Sequence, residues 1–303
     1  MLALLSAAAT APAPAGAQAE RPLRIGAETN ETYGEALYGV DGGFFRRAGL
    51  NVEPQLFASA GPIATAIAAG AIEVGLTDAL VLANAVNRGV PLVAIAGAGL
   101  FRTTDPTSAL CVSKSSSFRT AKSLEGQTVA LGTLVSLTSI AVKMWLTRNG
   151  ANVADVKFVE MPFSEMPFAL QRGTVAAAYL PEPQLSQAGP IRVMAVPYSA
   201  IADTFLISLV TTTRSWAVQN PDVVRRVAGA MYETARWANR NRNLTAPILA
   251  KYSKLEPDVI RHMKRTLFAT ALEPGMIQPI LDAAVAYKLV DRPTSAADLI
   301  LRP

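Results

Sequence analysis

The chain has 303 residues, a formal net charge of +5, 50% hydrophobic and 17% charged side chains, one Cys and one His. Those proportions suit about two compact units with real cores and exclude a disordered, collagen-like or coiled-coil chain. They also exclude an intramolecular disulfide and the clustered imidazole or thiolate ligands of most zinc, copper and iron sites, so no metal or cofactor is expected. The basic excess is spread along the chain, with its clearest doublets at Arg46-Arg47 and Arg225-Arg226. It lacks the dense stripe of a nucleic-acid binder and reads as ordinary surface charge.

Residues 2–10 form a short apolar run, and the Ala/Pro stretch behind it ends in Ala17-Gln18-Ala19, the small-x-small form of an export cleavage site. Residues 1–19 are therefore expected to be a signal peptide, placing a free mature protein from Glu20 onward in a periplasm-like space. No Lys or Arg precedes the run, a departure from the usual signal. From Arg24 onward, short apolar runs alternate with amphipathic segments, the pattern of an α/β protein with parallel strands. Strands are expected at 23–27, 51–57, 72–76 and 91–97. Between them lie a helix within 30–48 carrying Phe44 and Phe45, a helix opened by Ser59-Ala60-Gly61-Pro62, and a helix at 79–88 capped by Asp78. A second set follows, with strands at 107–113, 127–131, 156–160, 174–179 and 191–196 and helices at 139–149 and 164–172. Cys111 is expected to be buried in the first of these strands. After a strand at 205–211 the chain turns mainly helical, with helices opened by Pro221, Pro257 and Pro274.

In open α/β sheets ligands bind beyond the carboxyl ends of the strands, where helix N-termini present free N–H groups. Loops of this kind lie at 28–33, 58–62, 76–79, 132–139, 160–164 and 179–183. They bring Ser59, Ala60, Gly61, Thr133, Ser136 and Thr138 to helix starts, a setting for an oxyanion. Tyr33, Phe101 and Tyr179 can pack against an organic body, and Arg102 is the one cation at a strand end in the crossover region. Glu28, Asp78, Glu160 and Glu182 lie beside the same loops and offer acceptors to an amine, hydroxyl or pyrimidine N–H. Catalysis finds little support: His262 sits among cations in a helical segment far from these loops, and neither a Gly-x-Ser-x-Gly elbow nor a phosphate-binding Gly-rich motif is present.

The segment Gly43-Phe44-Phe45-Arg46-Arg47-Ala48-Gly49-Leu50-Asn51-Val52-Glu53 resembles the Gly-Phe-Phe, basic, Gly-Leu-x-Val-Glu segment of the nitrate/sulfonate/bicarbonate family of ABC-transporter substrate-binding proteins, which includes thiamine-precursor binders. Residues 66–75, Gly89-Val90-Pro91-Leu92-Val93-Ala94, Ser123-Leu124-Glu125-Gly126-Gln127-Thr128-Val129-Ala130 and 169–183 follow in the family's order. The resemblance implies an α/β type II periplasmic-binding fold with two lobes joined by crossover strands. Lobe one would be 20–105 plus 209–303, and lobe two 106–208. It further implies a monomer that binds no nucleic acid, captures a small solute and delivers it to a membrane permease and ATPase. The family's ligand positions fall here on Thr29, Asn30, Ser59 to Gly61, Asp78, Thr133 to Thr138, and Glu182. Where the family reads Val-Asp-Ala, an aromatic and Glu-Pro, this chain has Val175-Ala176-Ala177-Ala178-Tyr179-Leu180-Pro181-Glu182-Pro183. The expected solute is a sulfonate, carboxylate or similar anion. A pyrimidine or other heteroaromatic solute, a sensory domain of the same fold, and an enzyme resembling thiamine-pyrimidine synthases stay open as alternatives.

Overall fold

The computed structural model describes residues 21–301, so the expected signal peptide lies outside the described residues. Among the described residues thirteen strands form in chain order: β1 (Leu23–Glu28), β2 (Val52–Phe57), β3 (Val74–Thr77), β4 (Leu92–Gly97), β5 (Gly99–Arg102), β6 (Ser108–Ser113), β7 (Thr128–Leu131), β8 (Lys157–Glu160), β9 (Ala177–Pro181), β10 (Ile191–Ala195), β11 (Thr204–Leu206), β12 (Leu209–Thr213) and β13 (Leu267–Phe268). The helices are α1 (Glu35–Asp41), α2 (Phe44–Arg47), α3 (Ala60–Ala68), α4 (Ala79–Asn87), α5 (Leu137–Arg148), α6 (Met166–Arg172), α7 (Gln184–Gln187), α8 (Arg214–Gln219), α9 (Pro221–Arg240), α10 (Arg242–Ser253), α11 (Pro257–His262), α12 (Gln278–Ala286) and α13 (Ala296–Leu299). None of the described helices is long and apolar enough to cross a membrane.

The strands make two five-stranded sheets, ordered β2-β1-β3-β12-β4 and β10-β6-β9-β7-β8. In each, the parallel βαβ strands are joined by antiparallel ones: β12 runs against β3 and β4, and β6 against β9 and β10. This is the α/β architecture of the type II periplasmic-binding fold. Helices cover both faces of the first sheet. Ile25, Val74, Leu76, Val93 and Val210 pack with α1, α2 and α9 residues such as Phe45, Val227 and Met231. On the other face, Ile63, Ile67, Leu82, Ile280 and Leu281 come from α3, α4 and α12. Burial on both faces explains why β3 and β4 read as continuous apolar runs. Cys111 is fully buried in β6, as its flanking Leu110 and Val112 suggested.

A third, three-stranded sheet, β11-β5-β13, joins the two larger ones. It corrects the single strand expected at 205–211: the chain pairs with β5 over 204–206 and then enters the first sheet as β12. The helix expected within 30–48 is likewise divided into a 3-10 turn at Glu31–Tyr33, then α1, then α2. Gly42-Gly43 makes the break, because Gly43 takes φ 72°, a left-handed conformation that side chains avoid. The helix opened by Pro257 lasts only six residues.

Candidate functional site

The carboxyl ends of β1, β2 and β3 point the same way because these strands are parallel. Their loops therefore meet at one sheet end. After β1, the Asn30 side chain accepts the Tyr33 N–H at 3.1 Å, which winds residues 31–33 into a turn and turns the Tyr33 ring toward β3. The Tyr33 hydroxyl donates to Asp78 Oδ2 and lies equally near the Ile207 carbonyl, at 3.4 Å in each case. Asp78 caps α4 by accepting the Val81 N–H at 2.8 Å. Asn30 Nδ2 donates to Glu28 Oε2, the last residue of β1. Two acids thus share one corner.

Their titration reflects it. Burial pushes the Glu28 carboxyl up to about 8, with the Asp78 charge adding to the rise while the Asn30 amide and the Ala60 N–H hold it down. Burial also raises Asp78, against the pull of the Val81 and Leu80 N–H groups and the Tyr33 hydroxyl. Tyr33 rises well above the usual phenol range through burial first and then the charges of Asp78 and Glu28.

A buried aromatic cluster lies beside this corner. Phe101 from β5, Phe205 from β11 and Tyr198 from the turn after β10 pack edge to face or tilted, with centroids 4.9 to 5.4 Å apart. Tyr179 from β9 joins at 5.8 Å from Tyr198. The Tyr198 hydroxyl lies 3.4 Å from Thr138 Oγ1 near the start of α5, and the Tyr179 hydroxyl 2.5 Å from Ser108 Oγ. Burial raises both phenols, and the Asp78 charge adds to the rise at Tyr198, so the acid corner is electrostatically coupled to this cluster.

Asn30, Tyr33, Ala60, Asp78, Phe101, Thr138 and Tyr179 are therefore gathered in one region, together with Glu28 and Tyr198. Ser59 is exposed and makes no side-chain cap bond, and beside Gly61 there is open space, so the start of α3 is accessible. Thr29 is exposed in the loop after β1. Other expected residues serve local structure. Ser136 caps α5 through the Ser139 N–H at 3.2 Å, and the Thr133 hydroxyl turns to the Val135 carbonyl. The Glu160 carboxylate takes the Leu134 N–H at 2.7 Å. Glu182 follows β9 at a cis Glu182–Pro183 bond and accepts from Ser186 N–H, Ser186 Oγ and the Lys264 N–H. Arg102 is exposed at the end of β5, and His262 is exposed on α11. Tyr198 and Ser108 were not anticipated; a tyrosine just after a strand end, at Pro197-Tyr198, was the available cue for the first.

The loop carrying Asn30 and Tyr33 is held from behind. Buried Glu31 accepts from Arg265 Nε at 2.6 Å, Tyr38 Oη at 3.0 Å and the Thr266 N–H at 3.0 Å. Ser208 Oγ accepts the Gly99 N–H at 2.7 Å and donates to the Thr32 carbonyl at 2.6 Å, tying the loop to the joining sheet.

A sequence profile described as the NMT1-like family matches residues 16–252. No curated protein matches the chain significantly in sequence. Among solved structures, the periplasmic aliphatic sulphonate-binding protein SsuA from Escherichia coli is similar at TM-score 0.78 and 20% identity, over 93% of this chain and 92% of that one. The alkanesulfonate-binding SsuA from Xanthomonas axonopodis pv. citri, bound to MOPS, gives 0.73 and 19% over 93% and 98%. The desulfurization enzyme DszB gives 0.70 and 13% over 92% and 96%. Likeness at these identities is likeness of fold.

Proposed function

This chain belongs to the NMT1-like family, and we propose that it is a solute receptor of an ABC importer that closes two lobes on a small organic solute carrying N–H or O–H donors. One observation carries the reading: Glu28 and Asp78 sit together at the strand ends, with the Tyr33 hydroxyl on Asp78 and Tyr198 near enough to feel its charge, and the residues gathered there include no cation. An ionised carboxyl has about four acceptor sites, and the bonds from Asn30, Tyr33 and Val81 leave part of that capacity at Glu28 and Asp78 for solute donors. The aromatic cluster beside the acids suits a flat or partly apolar body, so an aminopyrimidine, amidine or similar nitrogenous compound fits better than a sulfonate. The fold supports lobe closure as the mechanism, with the joining sheet as the hinge and solute contacts from both sides shifting the population closed. The lobes would be 20–105 plus 209–303 and 106–208, and the closed receptor would deliver its solute unchanged, from a periplasm-like space, to a permease and its ATPase.

The anion reading rests on a different observation, the accessible α3 start with its unengaged Ser59 hydroxyl. The two readings differ in their pH dependence. A Glu28 carboxyl near 8 is mostly neutral at pH 7 and ionises above it. A donor solute is then held more tightly as pH rises from 7 to 9, and an oxyanion less tightly. Thermal-shift titrations with aminopyrimidines, benzamidine, taurine and alkanesulfonates at both pH values decide between them. Saturable stabilisation by the nitrogen bases that grows with pH is the expected result. Stabilisation by sulfonates alone, fading with pH, would replace it with the anion reading, and consumption of a stabilising compound would replace the receptor with an enzyme.

A further inference from the structure

The two arginine doublets, remote in sequence, are brought together on one flank of the molecule, which corrects the expectation of spread surface charge. α2 packs beside α9, and Arg47, Ala48, Arg226, Gly229, Ala230 and Glu233 line one hollow of about 390 Å³. Arg226 Nη1 donates to the Gly49 carbonyl at 3.1 Å and Arg47 Nη1 to the Gly42 carbonyl at 3.0 Å, so backbone contacts fix both guanidinium groups while leaving other N–H donors free.

The pattern continues along the 20 residues of α9. Its exposed positions beyond the first are Asp222, Arg225, Arg226, Gly229, Glu233, Arg236 and Arg240. At 3.6 residues per turn they fall within an arc of about 100°, a single stripe about 27 Å long from Asp222 to Arg240. With exposed Arg46 and Arg47 alongside, six arginines face two acids, a formal +4 out of the chain's +5. Of the six, only Arg225 is in an ion pair among the described residues, with Asp222. None of the exposed large apolar side chains lies on α9 or α2, whereas protein interfaces generally centre on buried aromatic or apolar anchors. A long, nearly straight cationic face without such an anchor matches a surface of phosphate groups. None of these residues belongs to the strand-end loops of the candidate site.

We propose that the α2–α9 flank adsorbs to an anionic phospholipid bilayer, with Arg47 and Arg226 receiving headgroup phosphate in the hollow between them. Adsorption would hold the receptor near the membrane independently of which solute it carries.

Co-sedimentation of the purified full chain with vesicles tests this, using pure phosphatidylcholine and equal parts phosphatidylcholine and phosphatidylglycerol. Binding is expected only to the mixed vesicles and is expected to weaken with salt. Each neutralised arginine should lower partitioning about fivefold. The quadruple variant Arg225→Gln, Arg226→Gln, Arg236→Gln, Arg240→Gln should therefore lose at least about a hundredfold while keeping the wild-type melting temperature and solute response. A charge-matched variant on the second sheet's side, Lys114→Gln, Lys122→Gln, Arg148→Gln, Lys157→Gln, should lose less than about tenfold. Equal losses in both variants would reduce the effect to net charge and overturn the assignment. So would an absence of vesicle binding at low salt, including the case where polyglutamate or single-stranded DNA binds instead.

Discussion

Glu28, the last residue of β1, and Asp78, just after β3, have distinct duties. Asp78 both caps α4 and faces Tyr33, and Asn is as good a cap as Asp, so Asp78→Asn separates the duties. It should keep the melting temperature within a few degrees while weakening a nitrogen-base probe at least about tenfold by calorimetry, the usual cost of losing a charged hydrogen-bond acceptor. Glu28 makes a prediction about stability. Its folded-state carboxyl, near 8, lies above the ordinary unfolded value, so the folded form holds its proton longer than the unfolded form. The associated stability is complete below about pH 4, falls as pH rises toward 8, and is gone above that. Glu28→Gln removes this dependence. Urea unfolding at pH 5 and pH 8.5 should find the variant gaining on wild type by a few kcal/mol at the higher pH. An unchanged difference would mean that Glu28 is not buried as described. Sequence alone placed Asp78 and Tyr33 correctly at strand-end loops. It did not rank Glu28, because the closeness of its carboxyl to Asp78 and to the start of α3 depends on how three parallel strands pack.

At the scale of elements, the long apolar periods were readable and the short ones were not. Strands such as β4 and helices such as α9, with Pro221 at its start, follow directly from local pattern. The joining sheet escaped because β13 is two residues long and β11 three, and such strands owe their existence to pairing partners far away in the chain. Its packing yields a sharp contrast between two glycines. A Cβ at Gly99 would stand 2.7 Å from the Thr32 carbonyl oxygen and 2.8 Å from Ser208 Oγ. Gly99→Ala should destabilise by about 1–3 kcal/mol and also weaken solute binding by displacing the Tyr33 loop. Gly229, with open space on α9, should tolerate Ala and gain up to about 1 kcal/mol. The Glu31–Arg265 pair, both side chains buried, braces the same loop against the C-terminal segment. Arg265→Met leaves the Glu31 carboxylate buried without its partner and should cost about 3–5 kcal/mol, read as a lowered urea midpoint.

For the whole molecule, the two large sheets are linked through a third, three-stranded sheet, and in the proposed receptor binding and closure would be a single event. Family membership and fold were legible because the Gly-Phe-Phe segment and the later runs keep their order over much of the chain. The solute was not, since in the proposed site it depends on side chains from several strand ends and the turn at Tyr198 meeting in space. The most direct test is native mass spectrometry of wild type and Asp78→Asn after equilibration with equal concentrations of an aminopyrimidine, benzamidine and an alkanesulfonate. Wild type should retain one nitrogen base per chain, recovered at its original mass, and the variant should bind it at least about tenfold more weakly. Retention of the sulfonate by both proteins, recovery of a chemically altered compound, or retention of nothing by wild type would contradict the account.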